Sequence, residues 1–417
     1  MKKILIEGNH LLSGTIKIGG VKNSAVALLP TAIMAKGVVE IANVPNISDK
    51  DAILDILKKL NVNVTNQDSY FRIDATDIKN TVIPEELSKK LRASYYFMGA
   101  LLGRFKYAEI YLPGGCNIGA RPIDLHLKGF EAMGVDIIKE NDKYILTAEH
   151  LHGADIHLDF ASVGATVNIL LAATLAEGKT VIHNAAKEVE IINIADLLNR
   201  MGGKITGAGT DTIVIIGVES LHGAKIDVIP DRIEAGTYII MGALLGDGLI
   251  IEGVVFEHLK SLLEKLELMG VDFTIDKDKI TLNKSASLRS IDVVTEVYPG
   301  FPTDLGQPMS VLLTQASGVS HIKETIFENR MAHTKYLNIM GARIDASLTE
   351  ATITGPNALR GEKIVATDLR SGAALVTAGL IASGVTEIYD VDYILRGYER
   401  IINKLSDVGA KIEIVEI

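Results

Sequence analysis

The sequence predicts an α/β protein of two domains, each assembled from three similar units with one helix inside and sheet toward solvent. Three observations predict it. A helix-stop signature recurs at Leu60-Asn61, Met133-Gly134, Met201-Gly202, Met269-Gly270, Met340-Gly341 and Val408-Gly409. These stops fall roughly 70 residues apart throughout, the mark of internal repetition. Helices apolar all round alternate with helices apolar on one side, and a proline-marked break, Val228-Ile229-Pro230-Asp231-Arg232, divides the six units three and three. Periods this long favour compact three-unit domains over an open superhelix, and a cleft between two such domains is the expected ligand site.

Taken in order, residues 1–20 hold one or two strands and reach Gly19-Gly20 with no helix before them. They must therefore pair with a unit elsewhere. Lys22-Asn23 opens an apolar helix, and its one-sided successor carries Ile53, Ile56, Leu57 and Leu60 at helical spacing. The segments Ala165–Ala176, Ala235–Gly246 and Ala373–Ser383 are hydrophobic all round, as a helix enclosed by a core must be. Lys179–His183 and Thr212–Ile216 are short and β-branched, and read as strands. Glycine after five of the six one-sided helices suits a left-handed C-cap.

Composition excludes several function classes. The chain is 47% hydrophobic, too apolar for disorder, and its single cysteine forms no internal disulfide or cysteine-based zinc cluster. A net charge of −10 disfavours nonspecific nucleic-acid binding. The longest stretch free of charged residues, Leu305–Ile322, contains Gln307, Pro308, Ser310 and Gln315, a poor membrane span. The start MKKILIEGNH turns acidic too early for a signal peptide, so a soluble cytoplasmic protein is expected. There is no GxGxxG or HExxH. Gly178-Lys179-Thr180 resembles a P-loop end, but Ala173 stands where its first glycine belongs. The ten histidines show no metal spacing, so neither metal nor cofactor is expected.

Three constellations remain. The loop Pro113–His126 sets Cys116 among Gly114, Gly115 and Gly119, with Arg121 five residues on. A lone cysteine is commonly a small buried hydrophobe, whereas a nearby cation favours a reactive thiolate; both readings stand. Lys22-Asn23 at a helix N-terminus, with Arg92, Arg330, Arg370 and Arg396 at comparable unit positions, is either a set of weak surface pairs or a convergence on a polyanion. Asp304, in the loop Tyr298–Leu305 ahead of a buried helix, is either its N-cap or a base.

The motifs that carry these residues have a relative. Lys22-Asn23, Leu91-Arg92-Ala93-Ser94, the Pro113–His126 loop, Ser162-Val163-Gly164-Ala165-Thr166 and Pro230-Asp231-Arg232-Ile233-Glu234 resemble those of the UDP-N-acetylglucosamine 1-carboxyvinyltransferase family, the enolpyruvyl transferases that open bacterial peptidoglycan synthesis. So do Phe301-Pro302-Thr303-Asp304, Phe327-Glu328-Asn329-Arg330, Ala366-Thr367-Asp368-Leu369-Arg370 and Arg396-Gly397-Tyr398-Glu399, so the resemblance spans the chain. It implies two inside-out α/β barrel-like domains, 21–229 and 1–20 with 230–417. It also implies transfer of enolpyruvyl from phosphoenolpyruvate to the 3′-hydroxyl of UDP-N-acetylglucosamine, through a tetrahedral intermediate and with loss of phosphate.

By the same resemblance Cys116 is the general acid, and its loop closes over bound substrate. Asp304 accepts or orients the hydroxyl proton. Lys22, Arg121 and Arg396 hold phosphate, while Arg330 and Arg370 serve the phosphoenolpyruvate side. Asn23, Arg92, Arg121, Pro122, Ile123, Asp124, Leu125, Ser162, Val163, Gly164 and Ile326 contact the nucleotide sugar. The family is the target of fosfomycin, which would alkylate Cys116. Two positions depart from the family: Phe160, where one branch has lysine, and Tyr393, which is often histidine. Other readings are an enolpyruvyl transferase with a different hydroxyl acceptor and a non-catalytic paralogue; the intact Lys22, Cys116, Asp304 and Arg396 set argues against the latter.

Overall fold

The computed structural model describes residues 2–78, 80–111 and 123–416. They form two compact units, one holding the described part of 20–229 and the other 2–19 with 230–416. No described helix is long and apolar enough to cross a membrane.

In the 20–229 unit the helices Lys22–Thr31, Tyr96–Phe105 and Val163–Thr174 form the core, and the last is buried at every position from Ala165 to Thr174. A helix enclosed on all sides has no solvent face to make polar, which explains their uniform hydrophobicity. Ser48–Lys59, Asp124–Ala132 and Val189–Arg200 bury one side, as Ile53, Ile56 and Leu57 do in the first. One sheet runs Lys225–Asp227, Val38–Ala42, Tyr70–Asp74, Asn63–Gln67, and a second runs Asp155–His157, Lys179–His183, Thr212–Ile216, Lys204–Thr206. In both, the first pair is parallel and the others antiparallel. Side chains alternate: Thr180 and Ile182 face the core, and Lys179 and His183 face outward. Tyr107–Tyr111, Lys143–Thr147 and Asp136–Glu140 make the third sheet.

The second unit repeats the plan. Its core helices are Arg232–Leu245, Thr303–Leu313 and Leu369–Ile381. Its sheets are four-stranded, with the same one-parallel, two-antiparallel order. The N-terminal strands find their partners here. Leu12–Lys17 lies parallel to Gly246–Glu252, and Lys2–Glu7 lies between Val385–Tyr389 and Lys411–Glu416, antiparallel to both. Two sheets of this unit are thus completed by residues that precede the other unit in the chain.

The repeated stops share one conformation. Asn61, Gly134, Gly202, Gly270, Gly341 and Gly409 all have φ between 62° and 107°, the left-handed region that closes a helix and favours glycine. The core helices begin earlier than their apolar runs predict, at Val163, Arg232 and Leu369. The reason is capping. Ser162, Asp231 and Asp368 each accept first-turn N–H groups, which carries the helix back over polar residues.

Candidate active site

Three of the sequence-singled residues meet in the 230–416 unit. Asp304 is the second residue of the helix Thr303–Leu313, whose N-cap is Pro302, so the capping reading of this aspartate does not hold. Its carboxylate is aimed at two arginines instead. Oδ1 accepts from Arg330 Nη2, and Oδ2 accepts from Arg370 Nε at 3.0 Å and lies 2.9 Å from its Nη2. Both guanidinium groups are buried, whereas the Asp304 side chain keeps a quarter of its surface exposed. Burial works against charge on Arg370, and the Asp304 carboxylate, Tyr398 and Asp231 together outweigh it, holding the guanidinium above its ordinary range.

A second layer fixes this pair of arginines. Arg330 Nε donates to Thr303 Oγ1 at 3.2 Å, and Thr303 donates to Glu324 Oε2 at 2.7 Å. The other oxygen of Glu324 accepts the backbone N–H of Ile326 at 2.8 Å and Phe327 at 3.0 Å, which sets the course of the chain at Ile326. Arg370 lies over the Tyr398 ring at 5.3 Å, and the Tyr398 hydroxyl is 2.9 Å from Thr237 Oγ1. Arg396 follows the short helix Asp392–Leu395, two residues before Tyr398, and Tyr393 is half-buried in the same helix.

In the 20–229 unit a second group forms around His126. This residue is buried beside Asn168, with Nδ1 3.0 Å from Asn168 Nδ2, and the Tyr95 ring meets it edge-on at 5.0 Å. Asn168 Oδ1 also accepts the Gly99 N–H at 2.9 Å, locking two core helices together at this point. The Arg92 guanidinium lies 5.8 Å from the Tyr95 ring centre. Burial, reinforced by the positive charge of Arg92, pushes the His126 pKa down to about 3, so the imidazole is neutral. Ser162 caps the helix Val163–Thr174, and Gly164 packs so closely that a Cβ there would lie 2.9 Å from His126 Cε1. Ile123 and Leu125 are buried against the core and Asp124 is exposed.

Lys22 begins its core helix, paired with buried Asp49 at 2.6 Å; Asn23 beside it is exposed. The N-cap, Val21, offers no side-chain acceptor to the first-turn N–H groups. Phe160 is solvent-exposed. Cys116, Arg121 and Pro122 lie outside the described residues.

Several participants were passed over in the sequence. Thr303 and Glu324 flank the arginines, and Tyr95, His126 and Asn168 form the second group. Asn168 had a signal: it interrupts an otherwise apolar helix, where a polar residue needs a partner. Glu234 had the same signal within Arg232–Leu245. It is buried, lies 2.6 Å from Lys404 Nζ and accepts the Gly19 N–H at 3.0 Å. Burial, resisted by Lys404, raises its pKa to about 7.

Comparison with known proteins agrees with this architecture. The family described as EPSP synthase (3-phosphoshikimate 1-carboxyvinyltransferase) matches residues 6–405. A UDP-N-acetylglucosamine 1-carboxyvinyltransferase 2 of Listeria monocytogenes is 51% identical over 410 residues, covering 98% of this chain and 97% of that protein. One of the same name from Streptococcus pyogenes is 50% identical over 418 residues, covering 100% of both. Among solved structures, the enolpyruvyl transferase NikO from Streptomyces tendae superposes with a TM-score of 0.91 at 26% identity, covering 99% of each chain. EPSP synthase from Acinetobacter baumannii shares the fold, with a TM-score of 0.79 at 19% identity over the full length of both.

Proposed function

This chain belongs to the EPSP synthase family of 1-carboxyvinyltransferases, and we propose that it moves the enolpyruvyl group of phosphoenolpyruvate onto the 3′-hydroxyl of UDP-N-acetylglucosamine. Kinship carries the reading. About half of all positions are identical, end to end, to enzymes named for that acceptor.

The reaction adds the acceptor oxygen to C2 of phosphoenolpyruvate while a proton reaches C3, giving a tetrahedral phospho-ketal. Loss of phosphate from C2 and of a proton from C3 then yields the enolpyruvyl ether. An acid must therefore serve the methylene carbon and a base the hydroxyl. Cys116 is the acid in this reading. Asp304 orients the hydroxyl and receives its proton; its partial exposure and its fixed carboxylate suit that role. Arg330 and Arg370 hold the carboxylate of phosphoenolpyruvate beside it, since a buried guanidinium recognises a carboxylate through two parallel bonds.

Lys22, Arg121 and Arg396 receive the phosphate, where fixed positive charge stabilises the leaving group as charge develops. The N-terminus of Lys22–Thr31 adds the positive end of a helix dipole, suited to an anion. Asn23, Arg92, Arg121 to Leu125, Ser162 to Gly164 and Ile326 contact the nucleotide sugar. Neutral His126 supports that surface by holding Tyr95, Asn168 and Gly164 in register. Domain 21–229 thus carries most of the nucleotide-sugar contacts, and 1–20 with 230–417 carries Asp304 and its arginines. The proposed compartment is the cytoplasm.

Phosphate release from phosphoenolpyruvate, assayed with and without UDP-N-acetylglucosamine, tests the reading. Release that depends on the nucleotide sugar supports it. Release driven instead by shikimate 3-phosphate, or none from folded protein, overturns it.

A further inference from the structure

On the outer face of the sheet that contains Asp155–His157 and Lys179–His183, three side chains with metal-ligand chemistry converge. Those two strands are parallel, and His157 and His183 are direct Cα partners across the pair. Asp155 lies two residues before His157, on the same face of its strand. The backbone register therefore dictates the grouping. The Nε2 atoms of His157 and His183 lie 3.1 and 2.9 Å from one oxygen, Oδ1, of Asp155. The two imidazoles are stacked, with ring centres 4.2 Å apart and planes at 12°. All three ligand atoms fall within 4.8 Å of one another.

We propose that Asp155, His157 and His183 bind a divalent transition-metal ion of the imidazole-preferring class, Zn2+, Co2+, Ni2+ or Cu2+. Ligand atoms about 2.1 Å from a shared ion lie about 3.0 Å apart at right angles and about 3.4 Å apart at tetrahedral angles, close to the 3.1 and 2.9 Å that the imidazoles already keep from the carboxylate. A modest ring rotation about χ2, a soft torsion, turns both nitrogens onto one ion. Two imidazoles and one carboxylate select against Mg2+ and Ca2+, which prefer all-oxygen surroundings. Asp155 and His157 are mostly exposed and His183 is one-third exposed, so an ion reaches them from solvent and completes its coordination with water.

Asp155–His157 is a three-residue strand at the sheet edge. An ion there ties that short edge to its neighbour and stabilises the folded chain by linkage, because the unfolded chain lacks the site. Sequence spacing hides the cluster, since His183 is brought to His157 only by strand pairing.

Titration of the metal-stripped full-length chain tests the proposal, with Co2+ followed by its visible d–d absorption and Zn2+ by calorimetry. A single equivalent of Co2+ binds, Zn2+ displaces it, and equimolar Mg2+ does not. Zn2+ also raises the melting temperature. His157→Ala, His183→Ala and Asp155→Asn each weaken Zn2+ binding by more than the roughly 10–100-fold typical of a change outside the ligand shell. All three sites are on the surface, so circular dichroism and metal-free phosphate release stay as in the parent chain. Absence of binding, equal competition by Mg2+, or full binding by the His157→Ala, His183→Ala double variant overturns the proposal.

Discussion

Asp304 holds Arg370 through a single carboxylate oxygen, which accepts from Nε at 3.0 Å and lies 2.9 Å from Nη2, while its other oxygen takes Arg330. The carboxylate is the only one of the three side chains with appreciable exposure. Charge and position are therefore separable at this residue. Asp304→Asn keeps the shape and removes the base, and kcat for phosphate release falls by about 100-fold or more. Asp304→Ala leaves two buried guanidinium groups facing a void and costs about 3 kcal/mol of stability in urea unfolding. Unchanged kcat in the asparagine variant would remove Asp304 from the mechanism.

Arg370→Lys tests the planar fork. A lysine keeps the charge but not the planar guanidinium that can meet a carboxylate through two bonds, so KM for phosphoenolpyruvate rises roughly tenfold. KM for the nucleotide sugar stays near that of the parent chain. Steady-state kinetics with each substrate varied in turn separates the two, and equal rises in both KM values contradict the assignment.

Gly164→Ala reads the other group. Its new Cβ would lie 2.9 Å from His126 Cε1 and 3.0 Å from both His126 Nε2 and Tyr95 Oη, so that cluster must shift. A displacement of this size raises KM for UDP-N-acetylglucosamine by about tenfold or more and leaves that for phosphoenolpyruvate little changed. A nucleotide-sugar KM unaffected by the methyl group would place the sugar elsewhere.

The helices and their repeat were legible in sequence because both have local causes. An enclosed helix is apolar on every side, and a left-handed stop needs glycine or asparagine, so six units announced themselves. Which strand pairs with Lys2–Glu7 was not legible, because its partners are set by tertiary packing. The arginines were visible as recurring positions, yet nothing local says that Asp304 and Arg370, 66 residues apart, are bonded. Thr303 and Glu324 were overlooked for a related reason: they act on Arg330 and Ile326, and a supporting residue has no chemical signature of its own.

The role of Cys116 is tested by its reaction with fosfomycin. Fosfomycin adds one adduct at this single thiol, faster when UDP-N-acetylglucosamine is present, as intact-mass spectrometry and peptide mapping will record. A thiol left unmodified after such treatment counts against its role as the acid.

Acid stability follows from two buried imidazoles. His126 and His333 have folded pKa values of about 3 and about 4, driven down by burial from an ordinary 6.5. Below about pH 6.5 the unfolded chain takes up protons that the native chain refuses, so their stabilisation is full above that pH and is lost as pH falls. Each contributes a slope of about 1.4 kcal/mol per pH unit in that window. Glu234 runs the opposite way: its pKa is raised to about 7, so its contribution falls as pH rises from about 4.5 to 7. His333→Gln, which keeps a partner for Ser310, flattens the urea-midpoint profile between about pH 4.5 and 6.5. Parallel profiles would mean that His333 titrates normally in the fold.

Lys3 and Glu387 are ion-paired at 2.9 Å across 384 residues of chain. On the ribosome, Lys2–Glu7 emerges long before Val385–Tyr389 and Lys411–Glu416, its neighbours in the finished sheet. At synthesis rates of about 5–20 residues per second, that wait is roughly 20–80 s. The unit from 20 to 229 has all its strands once Lys225–Asp227 is made and can close meanwhile. From then until Lys411–Glu416 is made, the nascent chain carries an unpaired β-edge ahead of a finished domain. This is where a holding chaperone would act, and where a bulky amino-terminal fusion would do the most harm.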